Sequence, residues 1–449
     1  MSTSLLYHGF GLRGYTYVRT EYQPNCIVFH VRHQREHLRC PDCRSPDVIR
    51  RGTVEREFRS IPFGQKQVRL VLPVQRVECG HCGSIRQVRL GFAEERYSHT
   101  RAFERYALGL LRHMTMKDVA RHLDVLWDTI KDIQTRHLQK HYGRPRLRNL
   151  STIAIDEISI GAGHRYLTVV LDLSTGAVVF VGNGKGADAL RPFWRRLKAS
   201  AAKVKAVAID MSPAYIKAIE ENLPSAKIVF DRFHVMKLYN DKLSDLRRDL
   251  YHHLTTVGQQ HLLKGTRWLL LKNEENLSRE RTGKTRRRLS EYDRLQRALE
   301  INAPLAQAYY LKEELRCFWE QLKKSEARAF LDDWIARADA SGTRMLKQFA
   351  RTLAAHRSGL LAYYDYPIST APLEGTNTKI RVMQRQAYGF RDIDFFKLKI
   401  FAIHRTKYAL VGCVLPLLEM DNHRNPLHSK GIRMRRVVDE REREDAAAL

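Results

Sequence analysis

The chain has 449 residues, 43% of them hydrophobic, with 78 Lys and Arg against 49 Asp and Glu, a formal charge of +29. That length exceeds one simple core, so roughly two to four domains are expected, and that charge favours a polyanionic partner, because neutralised phosphates release condensed counterions. The absence of a long basic amphipathic helix, of a run of about 18 apolar residues and of a signal-peptide core argues against a lipid surface, a membrane span and secretion; ribosome association stays open on composition alone.

Residues 1–95 carry short alternating runs such as NCIVFHVRH and QVRLVLPVQRVECG, which read as strands. Around them sit CPDC (Cys40, Cys43) and CGHC (Cys79, Cys82). Two such turns can supply four thiolates to a closed, tetrahedral structural zinc site, with unliganded or redox cysteines as the alternative. The segment Arg44–Glu78 is longer than in common zinc ribbons, but its own strands can bring the turns together. His81 is expected to be a bystander, and Cys26, Cys317 and Cys413 are expected to be small core residues.

Residues 96–148 change to a helical period. FERYALGLLRHM reads as one helix, and MKDVARHLDVLWDTIKDIQTRHL as helix (Met116–Leu123), turn, and helix (Asp128–Leu138) with Asp128 as N-cap. The apolar positions Val119, Ala120, Leu123, Val125, Ile130 and Ile133 suit a helix-turn-helix, with an ordinary helical hairpin as the alternative. Lys131, Gln134, Thr135 and Arg136 on the second helix are the candidates to reach base edges or phosphates of double-stranded DNA. The basic linker Lys140–Arg148 closes this domain.

Residues 149–250 read as three strands (near 151–160, 164–173 and 177–182), a helix, a strand Val204–Met211, a helix, a strand Lys227–Phe230 and a long helix. Three strands followed by alternating helix and strand is the order of a ribonuclease-H-like α/β core. Asp156 and Glu157 interrupt the first apolar strand and Asp210 ends the fourth, costly placements unless a cation compensates them. Adjacent strand residues face opposite sides, so either Asp156 or Glu157, but not both, can point at a shared site; Asp156 is preferred. GNGKG (Gly182–Gly186) and RTGKT (Arg281–Thr285) lack the spacing of a phosphate loop, so no nucleotide site is assigned. Residues 251–370 read as an all-helical insertion and 371–420 as the final helical part of the core. That part carries Glu374, followed by Lys379, Arg381 and Arg385 as DNA contacts; 421–449 reads as a charged tail. Asp156, Asp210 and Glu374 together could hold two Mg2+ (or Mn2+) ions for phosphodiester chemistry.

IAIDE, AIDMSPAY, VFDRFHVMK and LEGTNTKIRVMQRQAYGFRD taken together resemble the DDE transposases of bacterial insertion sequences, and more narrowly their ISL-three family, over about residues 35–415. The resemblance implies an Asp156–Asp210–Glu374 triad in a ribonuclease-H-like domain with a helical insertion. It also implies N-terminal modules that bind the element's terminal inverted repeats, and at least a homodimer to pair two DNA ends. Asp231 and His234, in DRFHV, match a recurring family segment and are read as backing or DNA-positioning residues. The expected activity is metal-dependent DNA cleavage and strand transfer in the bacterial cytoplasm, at the nucleoid. The rivals are a non-catalytic DNA-binding protein derived from such an enzyme and a repair nuclease of the same fold.

Overall fold

The computed structural model describes residues 5–161, 163–253, 257–280 and 289–404. Most of the basic piece 281–290, Cys413 and the charged tail lie outside the described residues.

A short helix α1 (Leu5–Phe10) leads into β1 (Tyr15–Gln23), β2 (Cys26–His33), β3 (Val48–Phe63), β4 (Lys66–Cys79) and β5 (Ile85–Gln87). The sheet runs β1-β2-β4-β3, with β5 also on β4. Alternation sets its core: Val68, Leu70, Leu72 and Val74 of β4 are buried with Val31, Phe58, Phe10 and Leu12. The β3–β4 hairpin closes at Phe63↔Lys66 around Gly64, whose φ of 62° suits a residue without Cβ, and its register ends at Val48↔Cys79. That register carries the second Cys pair back to the first. Cys26 is buried beside Val28 and Val71, as a small core residue.

Three helices follow: α2 (Arg101–Leu110), α3 (Met116–Leu123) and α4 (Trp127–Tyr142). Thr100 caps α2 through Phe103 N–H and Thr115 caps α3 through Asp118 N–H. Phe103, Ala107, Val119, Ala120, Leu123, Ile130 and Ile133 form their core. Asp124 turns the chain in the left-handed region (φ 50°), and Leu126 is already the extended residue before α4. Asp128 therefore sits inside the first turn of α4, not at the N-cap; there its charge still faces the positive helix end.

The central sheet contains β6 (Thr152–Gly161), β7 (Arg165–Asp172) and β8 (Val178–Asn183), then, after α5 (Ala187–Ala199), β9 (Ala206–Ile209). Helix α6 (Pro213–Asn222) leads to β10 (Lys227–Phe230) and the long α7 (Arg232–His253). The order is β10-β9-β6-β7-β8; β10, β9 and β6 are parallel, and β7 is antiparallel to both neighbours. GNGKG forms the turn from β8 into α5, with Gly186 at the cap (φ 83°).

The two faces of this sheet have different partners. Ile153, Ile155, Val207 and Ile209 pack on α5, α6 and α7, and that core continues unbroken into α9 (Arg267–Leu271), α10 (Glu291–Glu300), α11 (Ala303–Arg316), α12 (Lys324–Ala340), α13 (Arg344–Ala355) and α14 (Arg357–Leu361). α8 (Val257–Leu263) precedes this block, and no strand follows β10 among the described residues. On the other face Ala154, Ile158, Leu167, Val169 and Ala208 meet α15 (Ala371–Gln386) through Leu373 and Ile380, and α16 (Ile393–Phe401) through Phe396 and Ile400. Each fully buried Leu, Ile or Phe stabilises this docking by about 1.5–3 kcal/mol, which fixes the helix that carries Glu374. Among the described residues no helix is long and apolar enough to cross a membrane.

Candidate active site and zinc-ligand cluster

The Sγ atoms of Cys40, Cys43, Cys79 and Cys82 all lie within 4.8 Å of one another, with 3.6 Å between Cys40 and Cys82 and 3.5 Å between Cys43 and Cys79. A tetrahedral shell with Zn–S near 2.3 Å spaces its sulfurs by about 3.8 Å, so the four thiols fit zinc closely. Both turns have the same backbone pattern: Arg44 N–H bonds Cys40 C=O and Gly83 N–H bonds Cys79 C=O, with Arg44 and Gly83 both left-handed (φ 64° and 68°). His81 is exposed and outside the cluster.

The second site lies beside the middle of β6 and the carboxyl ends of β9 and β10, next to α15. Asp156 shares the parity of Ala154 and Ile158, so its side chain rises on the α15 face. Its Oδ1 accepts from Glu157 N–H (2.7 Å) and its Oδ2 from Asn377 Nδ2 on α15 (2.8 Å). Glu157 takes the opposite face: its Oε1 accepts from Tyr215 OH (2.6 Å) and from Gly186 N–H (3.1 Å) at the start of α5. Asp210 ends β9 and folds its Oδ1 onto Ser212 N–H (3.1 Å), the local bond of an Asx turn.

Glu374 sits one turn before Asn377 on α15, and its Oε1 is buried without a hydrogen-bond partner. Burial pushes its carboxyl up, and the charges of Asp231 and Asp156 add to that, opposed by His234 and Lys237. Burial likewise raises Asp156, opposed by the Glu157 N–H bond and by His234, with the charges of Asp210 and Glu157 adding. Asp231 behaves differently. Burial alone would lift it, but His234 and the Thr370 N–H hold it below the ordinary range. Its Oδ1 accepts from Thr370 N–H (2.9 Å), the residue that opens α15, and its Oδ2 from Phe233 N–H (3.0 Å). Asp231 thus ties the end of β10 to the helix of Glu374. His234 Nδ1 lies 3.4 Å from Asp231 Oδ2, an ion-pair contact too poorly aligned for a hydrogen bond, and that acid, with Asp156 and Asp210, raises the imidazole.

Ligand atoms of Asp231, His234 and Glu374 lie within 4.8 Å of one another; apart from the four cysteines, no other such group occurs among the described residues. Of the expected trio, Asp156 lies within electrostatic reach of both Asp210 and Glu374, but the three do not come within that distance of one another. Asn377 is a residue of this site to which the sequence reading assigns no role; its spacing of three from Glu374 on one helix is the available signal for its place beside Asp156.

The residues expected to touch DNA are placed unevenly. Lys131 Nζ pairs with Asp392 Oδ2 (2.8 Å), and Arg136 with Glu104 (2.8 Å) and Asp132 (2.9 Å) while its guanidinium lies 4.0 Å over Tyr97. Thr135 Oγ1 donates to Lys131 C=O (2.7 Å), and Gln134 is half-buried. This side of α4 therefore turns toward protein, because α2 and α16 pack against it. Lys379, Arg381 and Arg385 are exposed along α15.

The sequence matches family models for a transposase over residues 153–400, for the helix-turn-helix domain of transposase family ISL3 over 79–138, and for the zinc finger of transposase IS204/IS1001/IS1096/IS1165 over 37–82. It is 32% identical to the transposase for insertion sequence element IS1001 of Bordetella parapertussis, across 87% of this chain and 96% of that protein. It is 30% identical to the transposase for insertion sequence element IS1557 of Mycobacterium tuberculosis, across 79% and 82%. A solved Drosophila P element transposase strand transfer complex matches with 12% identity and a TM-score of 0.39 over 68% of this chain and 92% of that one, a likeness too weak to build on. With the zinc-finger, helix-turn-helix and transposase models in chain order and a relative matched nearly end to end, the chain belongs to the ISL3 family of insertion-sequence transposases.

Proposed function

We propose that the chain cuts and joins DNA at the ends of its own mobile element, using Asp156, Asp210 and Glu374 in a ribonuclease-H-like core interrupted by the helical block 251–370. The observation that carries this reading is the buried, partnerless Oε1 of Glu374 beside two further acids, Asp231 and Asp156, and His234. A buried acceptor without a donor costs about 1–3 kcal/mol, and a divalent cation is the partner that suits an acceptor surrounded by acids. When bound there, Mg2+ or Mn2+ ions would activate the attacking oxygen and stabilise the leaving one. Asp156, Asp210 and Glu374 are the residues to hold them. Asn377 orients Asp156, and Asp231 fixes the start of α15 while facing His234 toward the acids. Water is the nucleophile for cleavage and a DNA 3′-hydroxyl for strand transfer.

The four-cysteine ribbon and helix-turn-helix are read as the modules that bind terminal inverted repeats, and two copies as the unit that pairs two ends in the bacterial cytoplasm. The test uses purified full-length protein, a supercoiled donor carrying the element's ends, and Mg2+. Glu374→Gln should keep end binding and lose cleavage by about a hundred- to a thousandfold, the scale on which preorganised electrostatic groups act. Cleavage at an undiminished rate removes Glu374 from the site.

A further inference from the structure

Phe233, the second residue of α7, is 57% exposed at the rim of the acidic site. Its N–H is fixed on Asp231 Oδ2, so the backbone that presents the ring is locked to the residue that holds α15. The ring meets His234 at near right angles, with centroids 5.7 Å apart and planes at 86°, while more than half of the residue stays exposed. Lys237, one turn on and on the same side of α7, is exposed and close enough for its charge to oppose the lift of Glu374. A flat apolar ring beside a cation, next to carboxylates that act on DNA, matches the way single-stranded nucleic acid is held: stacking for the base, positive charge for the backbone.

We propose that Phe233 is a stacking platform for an unpaired DNA base beside the scissile phosphate, with Lys237 holding the adjoining phosphate. The proposal rests on the catalytic assignment above. The base comes either from the terminal nucleotide of the element or from the first flanking nucleotide. Stacking it on Phe233 would keep it out of the duplex and leave the phosphodiester accessible to the acids.

The test places 2-aminopurine at one or the other nucleotide of an end-bearing duplex and reads its fluorescence with full-length protein. Because the base leaves the duplex stack, wild-type protein should raise the signal in one of the two arms, and that arm identifies the base. Phe233→Ala should return the signal to the duplex level and slow cleavage by about 5- to 150-fold, the factor that stacking of about 1–3 kcal/mol represents. End binding should weaken by no more than that same factor, since the ribbon and helix-turn-helix still hold the end. Phe233→Trp should restore both readouts, and Phe233→Leu, which keeps bulk without a flat ring, should restore neither. Rescue by Leu as complete as by Trp, or a signal absent from both arms, overturns the platform. The fluorescence is also read in a Glu374→Gln background, where no turnover is needed. Loss of that signal on adding Phe233→Ala supports the platform whichever acids do the chemistry, while cleavage by Glu374→Gln alone sinks only the catalytic assignment.

Discussion

The four-cysteine cluster and the acidic site proposed to take catalytic ions are built in opposite ways. The four cysteines come from two short turns whose backbone bonds repeat each other, and one hairpin register brings them together. Their sulfurs already sit at zinc spacing. The carboxylates come from a strand, two strand ends and a helix separated by more than two hundred residues, and they remain in mutual repulsion, with one buried oxygen left over. A structural ion can be encoded by local turns. A reactive site must be encoded by topology, and it keeps an unfavourable arrangement that bound ions and substrate relieve.

The largest effect expected from breaking this contrast is on the zinc side. Structural zinc contributes about 10–16 kcal/mol of apparent binding free energy that is also folding free energy. Cys79→Ser should therefore release the metal and unfold residues 1–95, abolishing end binding. Zinc content by elemental analysis and proteolysis of the N-terminal module would show it; a variant that keeps stoichiometric zinc excludes the four-thiolate shell. The catalytic domain should remain folded, since its core is separate from that of the ribbon. Glu374→Gln is the converse: a loss of turnover with no loss of fold, because one orphaned oxygen disappears and no bond is broken.

How much of this was legible in the sequence follows the same division. The Cys-x-x-Cys pairs declared themselves by spacing, and strands β6 to β10 by β-branched runs, because both signals are local. Strand parity allowed only one of Asp156 and Glu157 to face a shared site, with Asp156 preferred; in the structure Asp156 meets Asn377 of α15, and Tyr215 and Gly186 show what Glu157 does instead. The role of Asp231 was not legible beyond a backing one, since its partner Thr370 lies 139 positions away and no periodicity links them. Nor was the engagement of α4. Lys131 and Arg136 carry the polarity of DNA-reading residues, and only the packing of α16 and α2 shows that Asp392 and Glu104 already hold them.

That engagement gives a smaller and sharper test. Asp392 pairs with Lys131 and also caps α16 by accepting from Phe395 N–H (2.9 Å). Asparagine caps helices as well as aspartate does, so Asp392→Asn removes the charge and keeps the helix. An ion pair this exposed is worth about 0.2–1 kcal/mol, so freeing Lys131 should tighten end binding by no more than about fivefold, as read by a titration at fixed salt. Unchanged or weaker binding would mean that Lys131 does not reach DNA from this helix.

The smallest expected effect compares Glu374 with an acid whose partners are complete. Glu104 is also partly buried, and burial alone would lift it, but His99 at 3.0 Å and Arg136 at 2.8 Å hold its carboxyl below the ordinary value of 4.5. A depressed acid stabilises the fold fully above its unfolded value and loses that contribution as pH falls through its folded one. The difference in melting temperature between wild type and Glu104→Gln should therefore be present at about pH 6 and shrink as pH falls below 4.5. Glu374 lacks such partners and is raised rather than lowered, so Glu374→Gln should show the opposite trend in metal-free protein. Its wild-type carboxylate disfavours folding once ionised, and the glutamine variant should gain stability over wild type as pH rises through the carboxylate range. Parallel pH trends for the two variants would mean that the acids at the catalytic edge are compensated as completely as Glu104, and that Glu374 has no oxygen waiting for a cation.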